Sequence, residues 1–355
     1  MSGRVVRSTA PVPPSVKDSG VDVDKKAPSL FDIGVPTIIA INVLSSVLLV
    51  ALNKVLFRTL LFPFVTLLSA AHFLAGWVFL TVASSPRFGL FQRAFVSDAP
   101  RVWKLAAAGA LSIVLSNYSL SFNSLGTAQI FKAAVLPAVM VLVLIQDYSR
   151  APTRPEAFSA LLVVCGSCLS VVADVSSTPI GMAVGLSAVV MTAQFQLWQG
   201  AYQQKLGMSA IQLMHASSLP QGIITLIASV FLEIDWQFHA FGGPRRNVAD
   251  LVTFRFSALQ LVVVLATVFL ATALNWSAFA IIGKTSAVTM QVTTQVKAVF
   301  IFAIDYVIFP RPLVWQQILG NAVCIGGALR YGLEKARGAG ASAPATTPAV
   351  SAQKK

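Results

Sequence analysis

Charged residues are scarce in this sequence: they make up 11% of its 355 residues, against 56% that are hydrophobic. A soluble globular domain carries about 25% charged residues, so this chain has too few to cover a water-facing surface of that size. The mean hydropathy of +0.75 agrees with this composition. A soluble enzyme is therefore excluded, and the sequence predicts an all-α polytopic membrane protein.

Cysteine and histidine are represented by only three residues each. The cysteines lie in apolar segments and provide no disulfide framework, and the histidines are too far apart in the sequence to share a metal ion. A membrane-embedded transferase would need clustered Asp or His residues for metal-assisted chemistry, and the predicted spans contain no such cluster. We therefore expect no enzymatic activity, no metal and no cofactor.

Apolar segments of helical length recur ten times between two polar tails. The predicted transmembrane helices are 34–53, 61–83, 102–121, 123–145, 156–173, 179–203, 208–232, 256–279, 286–309 and 313–334. Nine helices remain an alternative if 102–145 is parsed differently, although residues 123–126 suit a short turn. We expect residues 34–335 to form one membrane domain, with disordered tails at 1–33 and 336–355, because the tails are poor in apolar residues.

The net charge of +13 would suggest a nucleic-acid partner in a soluble protein. Here the Lys and Arg residues flank the predicted spans. With the N-terminus in the cytosol, 18 of the 26 fall on the cytosolic side and six on the opposite side, as the positive-inside rule expects. We therefore predict that both termini are cytosolic and that no nucleic acid binds. The remaining two, Lys132 and Lys297, lie deep within spans.

The third and fourth predicted helices resemble the eighth and ninth. An Asn-aromatic-Ser motif occurs at 117–119 and again at 275–277, and a Lys-Ala pair follows in each case, at Lys132 and Lys297. This match at an interval of five helices divides the domain into repeats of about 34–175 and 178–335. Because five is odd, the second repeat inserts upside-down, which predicts the inverted-repeat architecture of secondary transporters.

Lys132 and Lys297 are each about ten residues into their helices, which is about 15 Å of helix and close to the midplane of the bilayer. A lysine at that depth costs about 2.5–3.5 kcal/mol on insertion scales. The acidic residues of the spans fall near helix ends: Asp147, Asp174, Glu233 and Asp305. We therefore expect both lysines to line a wet cavity and to bind an anionic substrate, for which two positive charges suit a phosphate or diphosphate.

Other polar residues on these helices are candidates for the same cavity, as hydrogen-bonding groups for a sugar or a base. Ordinary interhelical hydrogen bonds are the alternative for each of them. The candidate substrate-binding residues are Lys132, Lys297, Gln129, Thr294, Gln295, Gln291, Asn117, Tyr118, Asn275, Trp276 and Lys284. A chaperone or receptor role also stays open, but it would leave both deep lysines unexplained.

Several short segments carry a family resemblance at matching places along the ten predicted spans. They are Asn53-Lys54, Ala71-His72-Phe73, Gln129-Ile130-Phe131-Lys132, Gln203-Gln204-Lys205-Leu206, GKTSAVTMQVTTQVKA (283–298), Phe309-Pro310 and Gly320-Asn321. With these segments the chain resembles the triose-phosphate/nucleotide-sugar translocator family of the drug/metabolite transporter superfamily. The resemblance covers about 34–335, and it rests on the order of the segments rather than on any single motif.

The resemblance implies antiport of a phosphorylated solute, with Lys132 and Lys297 holding phosphate. Gly-Lys-Thr-Ser at 283–286 looks most like the UDP-sugar members, whereas plastid sugar-phosphate members carry arginine where Ala298 stands. The resemblance therefore implies exchange of a UDP-sugar for a nucleoside monophosphate across a Golgi or endoplasmic reticulum membrane. A plastid-type sugar-phosphate/phosphate translocator is the alternative.

The expected partners are the nucleotide sugar, the nucleoside monophosphate and membrane lipid, and a homodimer stays open. Gly181 and Gly185 match the close-packing motif of membrane helices. We expect them to pack inside the helix bundle rather than to form a dimer face.

Overall fold

The structure is a computed structural model, and it describes residues 33–62, 64–96, 98–123, 125–146, 152–170, 178–231, 254–308 and 315–341. Within these ranges the chain is helical and contains no β-strand. The helices are α1 (Val35–Lys54), α2 (Val65–Ala83), α3 (Ala99–Phe122), α4 (Leu125–Gln146), α5 (Arg154–Leu169), α6 (Pro179–Lys205), α7 (Ala210–Ser229), α8 (Ala258–Lys284), α9 (Ala287–Ile308) and α10 (Trp315–Ala341), and a single π-helical turn (Val55–Thr59) extends α1. The predicted all-α class is confirmed for the described part of the chain.

The ten described helices lie where the apolar segments predict them. Helix α3 ends at Phe122 and α4 begins at Leu125, so residues 102–145 form two helices, as the ten-helix parse of this segment predicts. Helix α10 continues to Ala341, beyond the predicted end at 334, and Arg337 pairs with Glu334 one turn before it at 3.2 Å. The rest of the predicted tails, 1–32 and 342–355, lies outside the described residues.

The start of α3 illustrates how local sequence sets a helix boundary. The Asp98 side chain accepts a hydrogen bond from the backbone N–H of Arg101, and Pro100 stands in the first turn. An N-cap carboxylate satisfies a free N–H group at the helix start, and proline needs no N–H partner there. These two signals move the start of α3 from the predicted residue 102 back to Ala99.

Five described helices are long and apolar enough to cross a membrane: Val35–Phe57, Val65–Ala83, Thr127–Gln146, Pro179–Lys205 and Ala258–Lys284. A span needs about 20 predominantly apolar residues, so several such helices make this a multi-pass membrane protein. That all ten helices span the bilayer stays a prediction.

The helix pairings of one five-helix half recur in the other half, when each helix is matched with the helix five positions away in the chain. The pairs α5–α10 and α2–α7 are matched with themselves, and both are observed. The matched pairs of α3–α6, α3–α7, α4–α6 and α4–α5 are α1–α8, α2–α8, α1–α9 and α9–α10, and all of these are observed as well. A two-fold relation between the halves would produce this pattern. The inverted orientation of the halves in the membrane stays a prediction.

Glycines allow several of these helices to approach closely. A Cβ at Gly181 would meet the side chain of Asn123, which directly follows α3, and one at Gly185 would meet the ring of Phe131 on α4. The expectation that these two glycines pack inside the bundle is therefore confirmed. In the α5–α10 pair the contact is between backbones: a Cβ at Gly166 would meet the backbone nitrogen of Cys324 and, at 2.6 Å, the carbonyl oxygen of Gly320.

We expect Gly166→Ala to destabilise the protein, because the new methyl group meets backbone atoms that cannot rotate away. Overpacking of this kind costs about 1–3 kcal/mol. Gly326→Ala on α10 is the matched control, since no atom lies within 4 Å of its added Cβ. The measurement is the midpoint of thermal unfolding of both variants in detergent, and equal midpoints would contradict the close α5–α10 contact.

Candidate functional site

A cavity of about 300 Å³ lies between α3, α4, α6 and α9. Its size falls within the range of about 300–1,000 Å³ that is typical of small-molecule sites. The lining side chains are Ser112, Ile113, Ser116, Asn117, Ser119, Ala128, Phe131, Lys132, Val135, Ala188, Val189, Thr192, Gln196, Gln291 and Thr294. Four of the predicted residues are among them: Lys132, Asn117, Gln291 and Thr294. The cavity is therefore apolar in part and carries one cation and several hydroxyl and amide groups.

Lys132 projects into this cavity from α4. Its neighbours Phe131 and Ala133 are buried in the helix packing, whereas Lys132 itself is exposed. A proline, Pro137, follows within α4; it has no N–H to donate to the carbonyl of Ala133, four residues earlier. The ammonium group of Lys132 thus reaches the cavity next to a position where α4 lacks one backbone hydrogen bond.

Lys297 lies one turn beyond Thr294 on α9, so the two side chains share a face of that helix. It is buried, with 8% of its surface exposed, and it does not line the cavity itself. Gln295, two residues before Lys297, donates a hydrogen bond from its Nε2 to the carbonyl oxygen of Lys132 at 3.3 Å. The α9 segment that carries Lys297 therefore packs against the α4 segment that carries Lys132, although the two lysines are 165 residues apart in the chain.

Carboxylates do not neutralise either lysine within the described part of the chain. The acidic side chains described there are those of Asp98, Glu156 and Glu334. Asp98 pairs with Arg101 at 2.9 Å and Glu334 with Arg337 at 3.2 Å, and Glu156 accepts the backbone N–H of Thr153 at 2.7 Å. Asp147, Asp174, Glu233 and the Asp305 side chain lie outside the described residues.

Gln295 connects three helices next to Lys132. Its Oε1 accepts a hydrogen bond from Ser167 Oγ of α5 at 3.0 Å, and its Nε2 donates to the carbonyl oxygen of Lys132 at 3.3 Å. The side chain is 3% exposed and does not line the cavity. Gln295 can therefore fix the position of the α4 backbone that carries Lys132.

Gln291 and Gln196 form a carboxamide pair at the cavity wall. Gln291 Nε2 donates to Gln196 Oε1 at 2.8 Å. Gln291 Oε1 and Asn117 Nδ2 are buried without a hydrogen-bond partner among the described residues. Buried polar groups are nearly always hydrogen-bonded, so these two atoms mark places where a bound molecule can complete the site.

A second, smaller cavity of about 80 Å³ adjoins the first, because Ile113 and Gln196 line both. Its wall includes Asn275, another predicted residue, together with Gln199 and Gln221, which are each 2% exposed. Several amides and three phenylalanine rings, Phe73, Phe195 and Phe279, therefore surround one small space.

The other predicted residues line neither cavity. Tyr118 packs edge-on against Phe122, with ring centroids 5.1 Å apart. Trp276 is 9% exposed, and Gln129 is half-buried on α4. Lys284 is exposed at the end of α8, where its Nζ donates to the carbonyl oxygen of Ile33 at 2.9 Å. The structure thus does not bring Lys284 to the two lysines.

The α6 contribution to the cavity is largely absent from the list of predicted residues. Thr192 and Gln196 are four residues apart, and Gln199 and Gln203 follow at spacings of three and four residues. These spacings place them on one face of α6. The periodicity indicates a polar face, but α6 also carries Ser187 and Gln194, so spacing alone does not tell which face lines the cavity. On α3 the corresponding signal is the pair Ser112 and Ser116.

Comparison with known proteins finds relatives that align with most of this chain. The chain is 30% identical to UDP-xylose transporter 3 of Arabidopsis thaliana over 304 residues, which cover 85% of this chain and 80% of that protein. It is 28% identical to UDP-rhamnose/UDP-galactose transporter 1 of Arabidopsis thaliana, over 84% of each chain.

A solved crystal structure shares the fold, with a TM-score of 0.65 at 14% identity, and the match covers 85% of this chain and 98% of that one. The sequence profile of the Triose-phosphate Transporter family matches residues 36–332, which include all ten helices but for their outermost residues. The chain therefore belongs to the Triose-phosphate Transporter family.

Proposed function

We propose that this protein is a nucleotide-sugar antiporter that exchanges a UDP-sugar for a nucleoside monophosphate by alternating access. The observation that carries the proposal is the pair of lysines, Lys132 in the cavity and Lys297 on the α9 segment that packs against it, with no carboxylate partner for either among the described side chains. The relatives described above are named as transporters of UDP-xylose and of UDP-rhamnose and UDP-galactose, which supports a UDP-sugar as the cargo.

The two ammonium groups suit a diphosphate because each can donate up to three hydrogen bonds to phosphate oxygens. Charge-assisted hydrogen bonds of this kind are about twice as strong as neutral ones. Thr294 and Gln291 line the cavity on the helix that carries Lys297, and their polar groups can extend the contacts beyond the phosphates. Gln295 holds the Lys132 backbone in place.

We place the protein in the Golgi or endoplasmic reticulum membrane with both termini in the cytosol. The 18 to six distribution of Lys and Arg supports this orientation, and the endomembrane location is the one that the family resemblance of the sequence implies. In this arrangement the cargo moves into the lumen, and the nucleoside monophosphate returns to the cytosol.

Exchange assays in proteoliposomes test the cargo. We expect liposomes loaded with UMP to take up labelled UDP-xylose or UDP-galactose at least about tenfold faster than they take up labelled GDP-mannose. A difference of that size corresponds to about 1.4 kcal/mol of selectivity. Liposomes loaded with phosphate should not take up triose phosphate above the protein-free control. Uptake of triose phosphate and not of UDP-sugars would favour the plastid-type alternative and contradict the proposal.

A further inference from the structure

The carboxamide groups at the wall of the larger cavity have unused hydrogen-bonding atoms. Gln291 is 2% exposed, and its Nε2 is engaged with Gln196 Oε1 at 2.8 Å, yet its Oε1 has no partner among the described residues. Asn117 Nδ2, from α3, is likewise buried and unpaired in the described part of the chain. Leaving such atoms unpaired is costly, so an acceptor and a donor are both available to a ligand.

Gln196 adds a second donor. Its Oε1 is used by Gln291, and no hydrogen bond from its Nε2 is found within the described ranges. Its side chain lines both cavities. The wall therefore presents two N–H donors, from Gln196 and Asn117, and one carbonyl acceptor, from Gln291.

We propose that Gln196, Gln291 and Asn117 bind the hydrogen-bonding edge of a uracil base, and that they make the transporter selective for uridine nucleotides. The inference rests on the proposed function and deepens it. Uracil presents two carbonyl acceptors on either side of one N–H donor on this edge, which are the complements of the three protein groups. Cytosine has an unprotonated nitrogen in the place of that N–H and offers Gln291 no donor there, whereas guanine presents one acceptor with two donors and adenine one of each.

The position of the three amides relative to the lysines agrees with this assignment. Gln291 precedes Lys297 on α9 by six residues, which is about 9 Å at 1.5 Å per residue, and Asn117 and Lys132 line the same cavity. A nucleotide whose phosphates meet the lysines can therefore place its base near the amides. The site would use its charges for affinity and its amides for the choice of base.

Competition assays with the wild-type protein give the first test. UMP, CMP, GMP and N3-methyl-UMP are each added outside proteoliposomes during uptake of labelled UDP-xylose. We expect UMP to inhibit at concentrations at least about tenfold lower than CMP or GMP, because neither cytosine nor guanine matches the two donors and one acceptor of the protein. N3-methyl-UMP should also be at least about tenfold weaker than UMP, because the methyl group removes the donor that Gln291 Oε1 would accept. Equal inhibition by all four nucleotides would overturn the inference.

Substitution gives the second test. In Gln291→Leu we expect the preference for UMP over GMP to fall by about tenfold, with inhibition by inorganic pyrophosphate unchanged, because the lysines remain. Gln146→Leu is the matched control, since Gln146 is an exposed amide that pairs with Gln194 and lines neither cavity. Wild-type base preference in Gln291→Leu would overturn the assignment.

The two proposals fail in different ways. Absence of any UDP-sugar uptake by the wild-type protein contradicts the proposed function. Robust UDP-sugar uptake without discrimination between UMP and N3-methyl-UMP contradicts only the base site. Thermal stabilisation of the purified protein by UMP, CMP and GMP measures the same preference without transport, so a transport-deficient variant can still be tested.

Discussion

Lys132→Met and Lys297→Met are each expected to reduce exchange of UDP-sugar by about 100-fold. Each substitution removes charge-assisted hydrogen bonds to the cargo, and a hydrogen bond to a charged group contributes about 1.5–3 kcal/mol. Methionine has a similar length and no charge, so the change removes the interaction with little change in shape. The measurement is the initial rate of UMP-dependent UDP-xylose uptake in proteoliposomes with equal amounts of reconstituted protein.

Stability distinguishes a binding role from a structural one. An uncompensated lysine near the middle of a span is unfavourable by about 2.5–3.5 kcal/mol, and no carboxylate neutralises Lys132 or Lys297 within the described side chains. We therefore expect the Met variants to unfold at the same temperature as the wild-type protein or at a higher one. A structural ion pair would give the opposite result, because its removal leaves an unpaired partner.

Lys205→Met provides the matched control. Lys205 is exposed at the end of α6 and lines neither cavity, so its replacement by methionine should leave exchange unchanged. Lys297→Arg tests the charge directly, since it keeps the cation and should retain more exchange than Lys297→Met. Full exchange in both Met variants, with normal protein levels, would contradict a role of the lysines in cargo binding.

The sequence was most informative about features that depend on single helices. Apolar runs located the ten described helices, because the lipid selects for length and hydropathy along a segment. Depth within a span selected Lys132 and Lys297 as candidates, since the cost of a buried cation depends mainly on its position along the helix. In the structure Lys132 lines the cavity, and Gln295, two residues before Lys297, contacts the Lys132 backbone.

Features that depend on packing between helices were predicted less completely. Lys284 was a candidate for the cavity, but α8 continues to that residue and places it at the helix end, where it contacts Ile33. Helix α9 begins at Ala287, where Ser286 Oγ accepts the backbone N–H of Thr289. Lys284 therefore lies just before the turn between α8 and α9, away from the residues of α9 that line the cavity.

Gln295 and Gln196 show the same limitation within helices. Both are polar residues in predicted spans, and their spacing alone does not tell whether each faces the cavity or a neighbouring helix. The structure places Gln196 at the cavity and uses Gln295 to connect α5 with the Lys132 backbone. Only the pairing of α4, α5, α6 and α9 decides between these roles.

Uptake into liposomes that contain no nucleotide is expected to be about 60- to 300-fold slower than uptake into liposomes loaded with UMP. In alternating access an empty carrier has to close its cavity before it reopens on the other side. Closure around Lys132 without an anion removes water from a cation that has no carboxylate partner among the described side chains.

The energetics of that step explain why exchange should dominate over net uptake. A cation buried in a span is unfavourable by about 2.5–3.5 kcal/mol, and about 1.4 kcal/mol corresponds to a tenfold change in rate. A bound diphosphate or monophosphate neutralises the charge and removes this penalty, so closure is favoured only when cargo is present. No separate coupling ion is needed. Equal initial rates in empty and UMP-loaded liposomes, measured with the same preparation, would show that the empty carrier reorients freely and would contradict exchange enforced by the lysines.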